Sequence, residues 1–249
     1  MKAYLLLPLL LVCALLASAQ TPVDMASDPH YTLLLQNDLV RVFALSLRPT
    51  EQSFVQHNHN FLMIMLQDCE VVIWRDGESA IQNFPFQRGD SRFFLGGRAY
   101  GIRDDRTTSY RNVTVEFLDP KVTNWGYQWQ SGTWDYSPYG NGAPVDPHGK
   151  FTNTIRLGDV MVSDVQLLSG DSYPAPEKPT AELLVPVTDV DLKAGDLKTN
   201  GDLKTNKDQR IRKPAGEVVW IPAAQKSRLV NTGSDPARFV VVEFPASTP

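Results

Sequence analysis

Two histidines separated by one residue are the side chains of this sequence best suited to chemistry. His57 and His59 stand in the segment Gln56-His57-Asn58-His59-Asn60, directly before an apolar run. If this segment is a β-strand, a spacing of two places both imidazoles on the same face. Two such imidazoles are a standard way to provide two ligands for a divalent metal ion such as Fe, Mn, Zn or Ni. Because catalytic metal sites usually have three protein ligands, the pair needs a third group.

The elements that must position these histidines are predicted to be β-strands. Helical patterning is scarce, and short apolar runs alternate with Gly, Pro, Asn and Asp, which is typical of a β-sandwich or barrel. The predicted strands are Leu39–Leu47, Phe61–Leu66, Glu70–Trp74, Ser91–Leu95, Arg111–Phe117, Val160–Leu168, Ala181–Val187, Val218–Ile221 and Arg238–Phe244.

The chain repeats itself weakly, which predicts two similar lobes. Residues 89–94 match residues 216–221 at an offset of 127, and the same offset carries 113–117 onto 240–244. Residues 40–47 match 160–167 at an offset of only 120, so the second copy holds seven extra residues in between. The hexapeptide GDLKTN occurs twice in tandem over 195–206 and accounts for six of them. We interpret this polar duplication as an enlarged hairpin loop, where added length costs little.

The order of these features resembles the cupin superfamily. The first cupin motif is H-x-H followed four or five residues later by Glu, and the second is G-(x5)-P-x-G-x-x-H-x-x-x-N. Gly216, Pro222 and Asn231 follow the second motif in spacing. The resemblance covers nearly all of residues 33–245, and the paired copies look like a bicupin. It implies an all-β protein of two jelly-roll barrel lobes related by internal duplication, with lobe one at 30–120, a connector rich in aromatic residues, Gly and Pro at 121–150, and lobe two at 151–246 with a loop insertion at 188–213.

The departures from the cupin motifs concern the metal ligands that the resemblance implies. Met63 or Ile64 stands where the first-motif Glu is expected, and the second-motif His is replaced by Tyr100 in lobe one and Ser227 in lobe two. The part of lobe two that corresponds to the H-x-H segment is roughly Glu177-Lys178-Pro179. The family's three His and one Glu are therefore reduced to two His in lobe one and essentially none in lobe two.

Two interpretations of the histidine pair stay open. His57 and His59 either bind a metal ion that Tyr100, a carboxylate from elsewhere or water completes, or lie hydrogen bonded near the barrel mouth without metal. We interpret Tyr100 as a ring that fills the barrel and whose hydroxyl bonds to His57 or His59, and we place Met63 beside it in a ligand pocket. Glu116 and its repeat partner Glu243 are assigned a strand-end role set by the fold.

Three functions follow from these interpretations. The first is an exported protein, non-catalytic or weakly catalytic, that binds a small polar ligand in the lobe-one barrel. The second is a metal-dependent enzyme of the dioxygenase, isomerase or lyase type that uses His57 and His59. The third is a structural or interaction protein, and homo-oligomer formation is left open.

The start of the chain predicts export. Lys2 precedes the apolar run Tyr4–Leu16 and the cleavage site Ala17-Ser18-Ala19, so residues 1–19 read as a signal peptide. We expect no membrane span after cleavage, since no later apolar run approaches 20 residues. Cys69 is then the single remaining cysteine, which excludes an intramolecular disulfide. The net charge of −4, with charges scattered along the chain, argues against a nucleic-acid partner.

Overall fold

The protein consists of β-strands arranged in four sheets. The computed structural model describes residues 21–77, 82–104, 109–123, 151–196, 209–223 and 227–245. The first lobe contains a 3-10 turn at Met25–Ser27 and the strands β1 (Val23–Asp24), β2 (Tyr31–Gln36), β3 (Val40–Leu47), β4 (Gln52–His57), β5 (Phe61–Met65), β6 (Cys69–Arg75), β7 (Gln82–Phe86), β8 (Ser91–Phe94), β9 (Arg98–Asp104) and β10 (Tyr110–Phe117). The second lobe contains β11 (Phe151–Leu157), β12 (Val160–Leu167), β13 (Ser172–Tyr173), β14 (Thr180–Pro186), β15 (Val190–Asp196), β16 (Gln209–Lys213), β17 (Val219–Ile221), β18 (Ser227–Asn231) and β19 (Ala237–Pro245).

Both lobes have the same sheet topology. In the first, a sheet of order β2-β3-β10-β5-β8 faces a sheet of order β1-β4-β9-β6-β7. In the second, β11-β12-β19-β14-β17 faces β13-β18-β15-β16, which repeats the first arrangement strand for strand except for β1. All pairs are antiparallel apart from the short contact of β1 with β4. The two-lobed jelly-roll architecture that the cupin resemblance implies is therefore present.

The strands in the middle of the molecule are buried on both faces, which explains their nearly continuous apolar sequence. Alternate residues of β3, β5 and β10 point into the lobe-one barrel, and the residues between them pack against lobe two. A single apolar core joins the lobes, with members such as Val42, Leu62 and Val115 from one side and Val162, Leu183 and Val242 from the other. Two further cores fill the interiors of the two barrels.

The lobes also make a reciprocal contact at the turns that precede β8 and β17. A Cβ on Gly89 would lie 2.4 Å from the guanidinium carbon of Arg238 in lobe two. A Cβ on Gly216 would lie 2.8 Å from a methyl of Leu66 and 3.6 Å from Arg111 in lobe one. Gly216 and Arg238 are the partners of Gly89 and Arg111 at the offset of 127, so the duplication extends to the interface between the copies.

All nine strands predicted from the sequence are present, each within one residue at either end. The segment 188–213, predicted as a loop insertion, instead contains β15 and β16, because Val190, Leu192 and Ile211 are buried in the lobe-two core. These two strands pair antiparallel, so the duplicated hexapeptide connects neighbouring strands as a hairpin would.

Three segments with sequence predictions lie wholly or mostly outside the described residues. They are the connection between β15 and β16, the leader at 1–19 and the connector at 121–150. Within the described part of the chain, no helix has the length and apolar character to cross a membrane.

Candidate functional site

His57 is the last residue of β4 and its side chain is buried inside the lobe-one barrel. The residue is only 2% exposed. Its ring lies flat on Phe61, with ring centres 3.7 Å apart, and meets Tyr100 edge-on at 5.7 Å. Phe61 stacks in turn on Phe94 at 5.0 Å. This column of aromatic rings fixes the orientation of the imidazole and fills much of the barrel.

Glu116 of β10 faces the same interior beside His57. In the sheet it stands directly opposite Arg41 of β3 on one side and Phe61 of β5 on the other. Nε and Nη2 of Arg41 both donate to Oε2 of Glu116, at 2.9 and 2.5 Å. The other oxygen, Oε1, lies 3.5 Å from Nδ1 of His57, which is long for a hydrogen bond. We call His57, Glu116 and Arg41 the polar cluster.

Two atoms of the polar cluster are buried without a hydrogen bond. Nδ1 of His57 and Oε1 of Glu116 have no hydrogen-bond partner among the described residues. Leaving such groups unsatisfied in the interior costs about 1–3 kcal/mol each, so a bound water or ligand atom is expected there. The two atoms lie 3.5 Å apart, close enough for one small polar group to be within hydrogen-bond distance of both.

The charge of the polar cluster sums to zero. Burial lowers the pKa of His57 below its ordinary value of 6.5, and the nearby Glu116 carboxylate opposes this shift only in part. The imidazole is therefore neutral at neutral pH, while the Glu116 carboxylate is balanced by the Arg41 guanidinium. Burial also raises the pKa of Tyr31, with a smaller contribution from the charge of Asp28, so its phenol stays protonated.

A small cavity lies next to His57. Its volume is about 20 Å³, which is room for about one water molecule. Its lining includes His57, Tyr31, Tyr100 and Thr114, and most of the remaining lining residues are apolar, including the predicted pocket residue Met63.

The two histidines that the sequence paired differ in local structure. β4 ends at His57, so His59 lies beyond the strand on which the predicted shared face depends, and it is partly exposed. The backbone there is tightly packed, because a Cβ on Gly96 would lie 2.3 Å from the carbonyl carbon of His59. The Tyr100 hydroxyl donates to the carbonyl of Leu95 at 2.8 Å. The side chain of Ser227 lies outside the described part of the structure.

Glu116 is the residue that sequence reasoning undervalued. Its assigned strand-end role does not describe a side chain that is 0% exposed and contacts both Arg41 and His57. The sequence contained a signal for this residue. Asn112, Thr114 and Glu116 are spaced by two, so they share one face of their strand, and the residues between them are apolar.

The polar cluster does not have the donor set of a cupin metal site. Among the described residues, no group of three or more His, Cys, Asp and Glu side chains is placed to hold a metal ion. One oxygen of Glu116 is already taken by Arg41, whose positive charge disfavours a cation beside it. A divalent metal therefore does not fit these residues.

Two jelly-roll barrels of matching topology, packed through their central sheets, define the two-lobed cupin or bicupin fold, and this chain has that fold. No protein-family profile matches the sequence, and no curated protein matches it. Among solved structures, it is similar to AerE from Microcystis aeruginosa, with 11% identity, a TM-score of 0.59, and coverage of 90% of this chain and 98% of that one. It is also similar to hazelnut (Corylus avellana) vicilin, with 12% identity, a TM-score of 0.55, and coverage of 87% and 84%. A mutant form of Bacillus subtilis oxalate decarboxylase gives 13% identity, a TM-score of 0.58, and coverage of 92% and 79%.

Proposed function

We propose that the protein is an exported bicupin that binds a small neutral polar ligand in the lobe-one barrel, without a metal ion. The observation that carries the proposal is a pair of orphaned atoms, Nδ1 of His57 and Oε1 of Glu116, which lie 3.5 Å apart. His57 also lines a water-sized cavity. The predicted leader at 1–19 supports export, and it makes the ligand a molecule met outside the cytoplasm.

The hydrogen-bonding capacity of the two orphaned atoms defines which polar group the ligand must have. A carboxylate oxygen only accepts hydrogen bonds, so the ligand must donate one to Glu116. Neutral His57 either donates or accepts at Nδ1, according to its tautomer. A hydroxyl or a primary amide meets both demands, whereas a carboxylate or phosphate would be repelled by Glu116. An ammonium group is disfavoured by Arg41 and by its own cost of burial.

The size of the cavity limits how deep the ligand enters. About 20 Å³ accommodates one hydroxyl or amide nitrogen in place of a water molecule. A larger molecule places that one group against His57. The rest of the molecule then pushes aside the part of the cavity wall formed by Tyr31, which is only half-buried. Ligand binding then involves movement of an aromatic ring.

A metal-dependent enzyme is the alternative that the fold suggests. Mn(II) centres are named for the oxalate decarboxylase of Bacillus subtilis, which has a similar fold. In this chain the polar cluster supplies one imidazole and a carboxylate already held by Arg41. The donor set therefore supports a neutral ligand better than a metal ion.

Three probes of similar size and different charge test the proposal. Acetamide, acetate and ethylammonium are titrated into protein carrying ¹⁵N-labelled histidine, and the ring signals of His57 are followed by NMR. We expect saturable shifts with acetamide alone. His57→Gln identifies the signal, and His59→Gln is the matched control that leaves the acetamide response unchanged.

Two results would contradict the proposal. One is a lack of saturable response to acetamide and also to methanol, the smallest hydroxyl probe. The other is stoichiometric metal in protein purified without a His tag that disappears in His57→Gln, since this would establish the metal-dependent alternative.

A further inference from the structure

The second lobe places two glutamates opposite each other inside its barrel. Glu182 of β14 and Glu243 of β19 are direct partners in the sheet register. Both point inward, because Leu183 and Val242, their neighbours along the strands, pack into the core between the lobes. The two glutamates are 1% and 6% exposed. We call them the glutamate pair.

The duplication shows what is unusual about this pair. Glu243 takes the place of Glu116 in lobe one, and each is flanked by a residue from the strands on either side. In lobe one these flanking residues are Arg41 and Phe61. In lobe two they are Met161 and Glu182, so the arginine that balances the lobe-one carboxylate is replaced by a thioether, and a second carboxyl is added.

The surroundings of the glutamate pair are mostly uncharged. The residues that face it from neighbouring strands are Ile221 on β17, Met161 and Ser163 on β12, and Tyr173 on β13. The Tyr173 hydroxyl lies 3.5 Å from Oε1 of Glu243. Arg156 of β11 is a cation on this side of the sheet, but it is exposed and its guanidinium contacts the sulfur of Met161 at 3.9 Å.

Two carboxylates cannot both stay ionised in such a place. Neither oxygen of Glu182 has a hydrogen-bond partner among the described residues. Burying one unpaired charge is already costly, and a second negative charge alongside adds repulsion. A proton bound by the pair removes one charge and provides a donor. Consistent with this, burial and the charge of Glu243 raise the pKa of Glu182 from 4.5 to about 7, and burial raises the pKa of Glu243.

We propose that the second lobe folds with a proton held by Glu182 and Glu243, and that its stability falls as the pH rises towards neutrality. The device is independent of the ligand proposed for lobe one. An unfolded chain releases the proton near pH 4.5, whereas the folded lobe keeps it to about pH 7. Folding is therefore favoured on the acid side, and its stability falls as pH rises between these values. Over that window the equilibrium constant for opening lobe two rises on the order of a hundredfold.

Hydrogen exchange measured by mass spectrometry resolves the two lobes in one intact chain. Protection of the amides of β14 and β19 is measured from pH 5 to pH 8 in the wild type and in Glu182→Gln, and is corrected for the intrinsic exchange rate. We expect protection in β14 and β19 of the wild type to fall on the order of a hundredfold as pH rises. Glu182→Gln, which keeps the shape without the ionisation, abolishes this dependence. Glu217→Gln is the control, because Glu217 is exposed and pairs with Lys213.

The proposal is overturned if the wild-type protection of β14 and β19 does not change with pH. It is equally overturned if Glu182→Gln retains the wild-type pH dependence. Stoichiometric binding of Mn²⁺ or Ca²⁺ at pH 7.5 that Glu182→Gln removes would also overturn it, because the pair would then hold a metal ion and no proton.

Discussion

A substitution that gives lobe one the residue found at the equivalent position of lobe two tests the polar cluster. Arg41→Met gives lobe one the residue that lobe two has at Met161. The substitution removes both hydrogen bonds to Oε2 of Glu116 and leaves a carboxylate that is 0% exposed without its cation. Met preserves most of the apolar packing of the arginine stem, so the loss is chiefly electrostatic.

The magnitude follows from the burial of the two partners. Removing one member of a buried ion pair costs about 3–5 kcal/mol. The Arg41 side chain is 20% exposed, so water partly compensates and we take the lower end of this range, about 3 kcal/mol at pH 7. Arg41→Met/Glu116→Gln should recover much of the loss, since the buried charge is then absent.

Urea unfolding followed by circular dichroism at pH 7 measures these differences. The control is Arg210→Met, which removes two hydrogen bonds to Asp191 on the surface and should change stability far less. A loss below about 1 kcal/mol for Arg41→Met at pH 7 would place the pair among ordinary surface ion pairs and refute the reasoning. A double variant no more stable than Arg41→Met would refute it as well.

Two further predictions concern the lobe interface and the pH response of lobe one. Gly89→Ala should destabilise the protein more than Gly77→Ala, by about 1–3 kcal/mol in urea unfolding. Both glycines have positive φ, but only Gly89 packs against Arg238. Equal losses of stability would show that Arg238 moves aside without an energetic cost. Protection of β5 and β10 against hydrogen exchange should fall as pH drops below 6.5. The reason is that His57 takes up a proton in the unfolded chain, whereas burial lowers its pKa in the folded lobe. Protection that rises in acid would contradict this prediction.

The fold was predictable because apolar periodicity marks the buried strands. Runs such as Val113–Phe117 and Val240–Phe244 have strong β propensity and repeat at a fixed offset. The strands that were missed have a weaker pattern. Gln52–His57 and Arg98–Asp104 carry polar residues on positions that are buried through pairing, as with Ser53, which donates to Asp28 at 2.7 Å.

The candidate site was predictable only in part, because its members meet through the barrel and not along the chain. The spacing of His57 and His59 is read correctly only if the strand continues, and β4 ends at His57. Arg41 and Glu116 are 75 residues apart and become neighbours through the pairing of β3 with β10. The glutamate pair was hidden for the same reason, since Glu182 and Glu243 meet through β14 and β19.

The ionisation of His57 is the quantity on which the neutral-ligand account depends. ¹⁵N NMR of the labelled histidine rings during a pH titration measures it directly, with His57→Gln to identify the signal. We predict that the His57 ring is mostly neutral already at pH 6.5, because burial lowers its pKa below that ordinary value. A ring that is half protonated at pH 6.5 or above, or one whose shifts report a bound metal ion, would contradict the account.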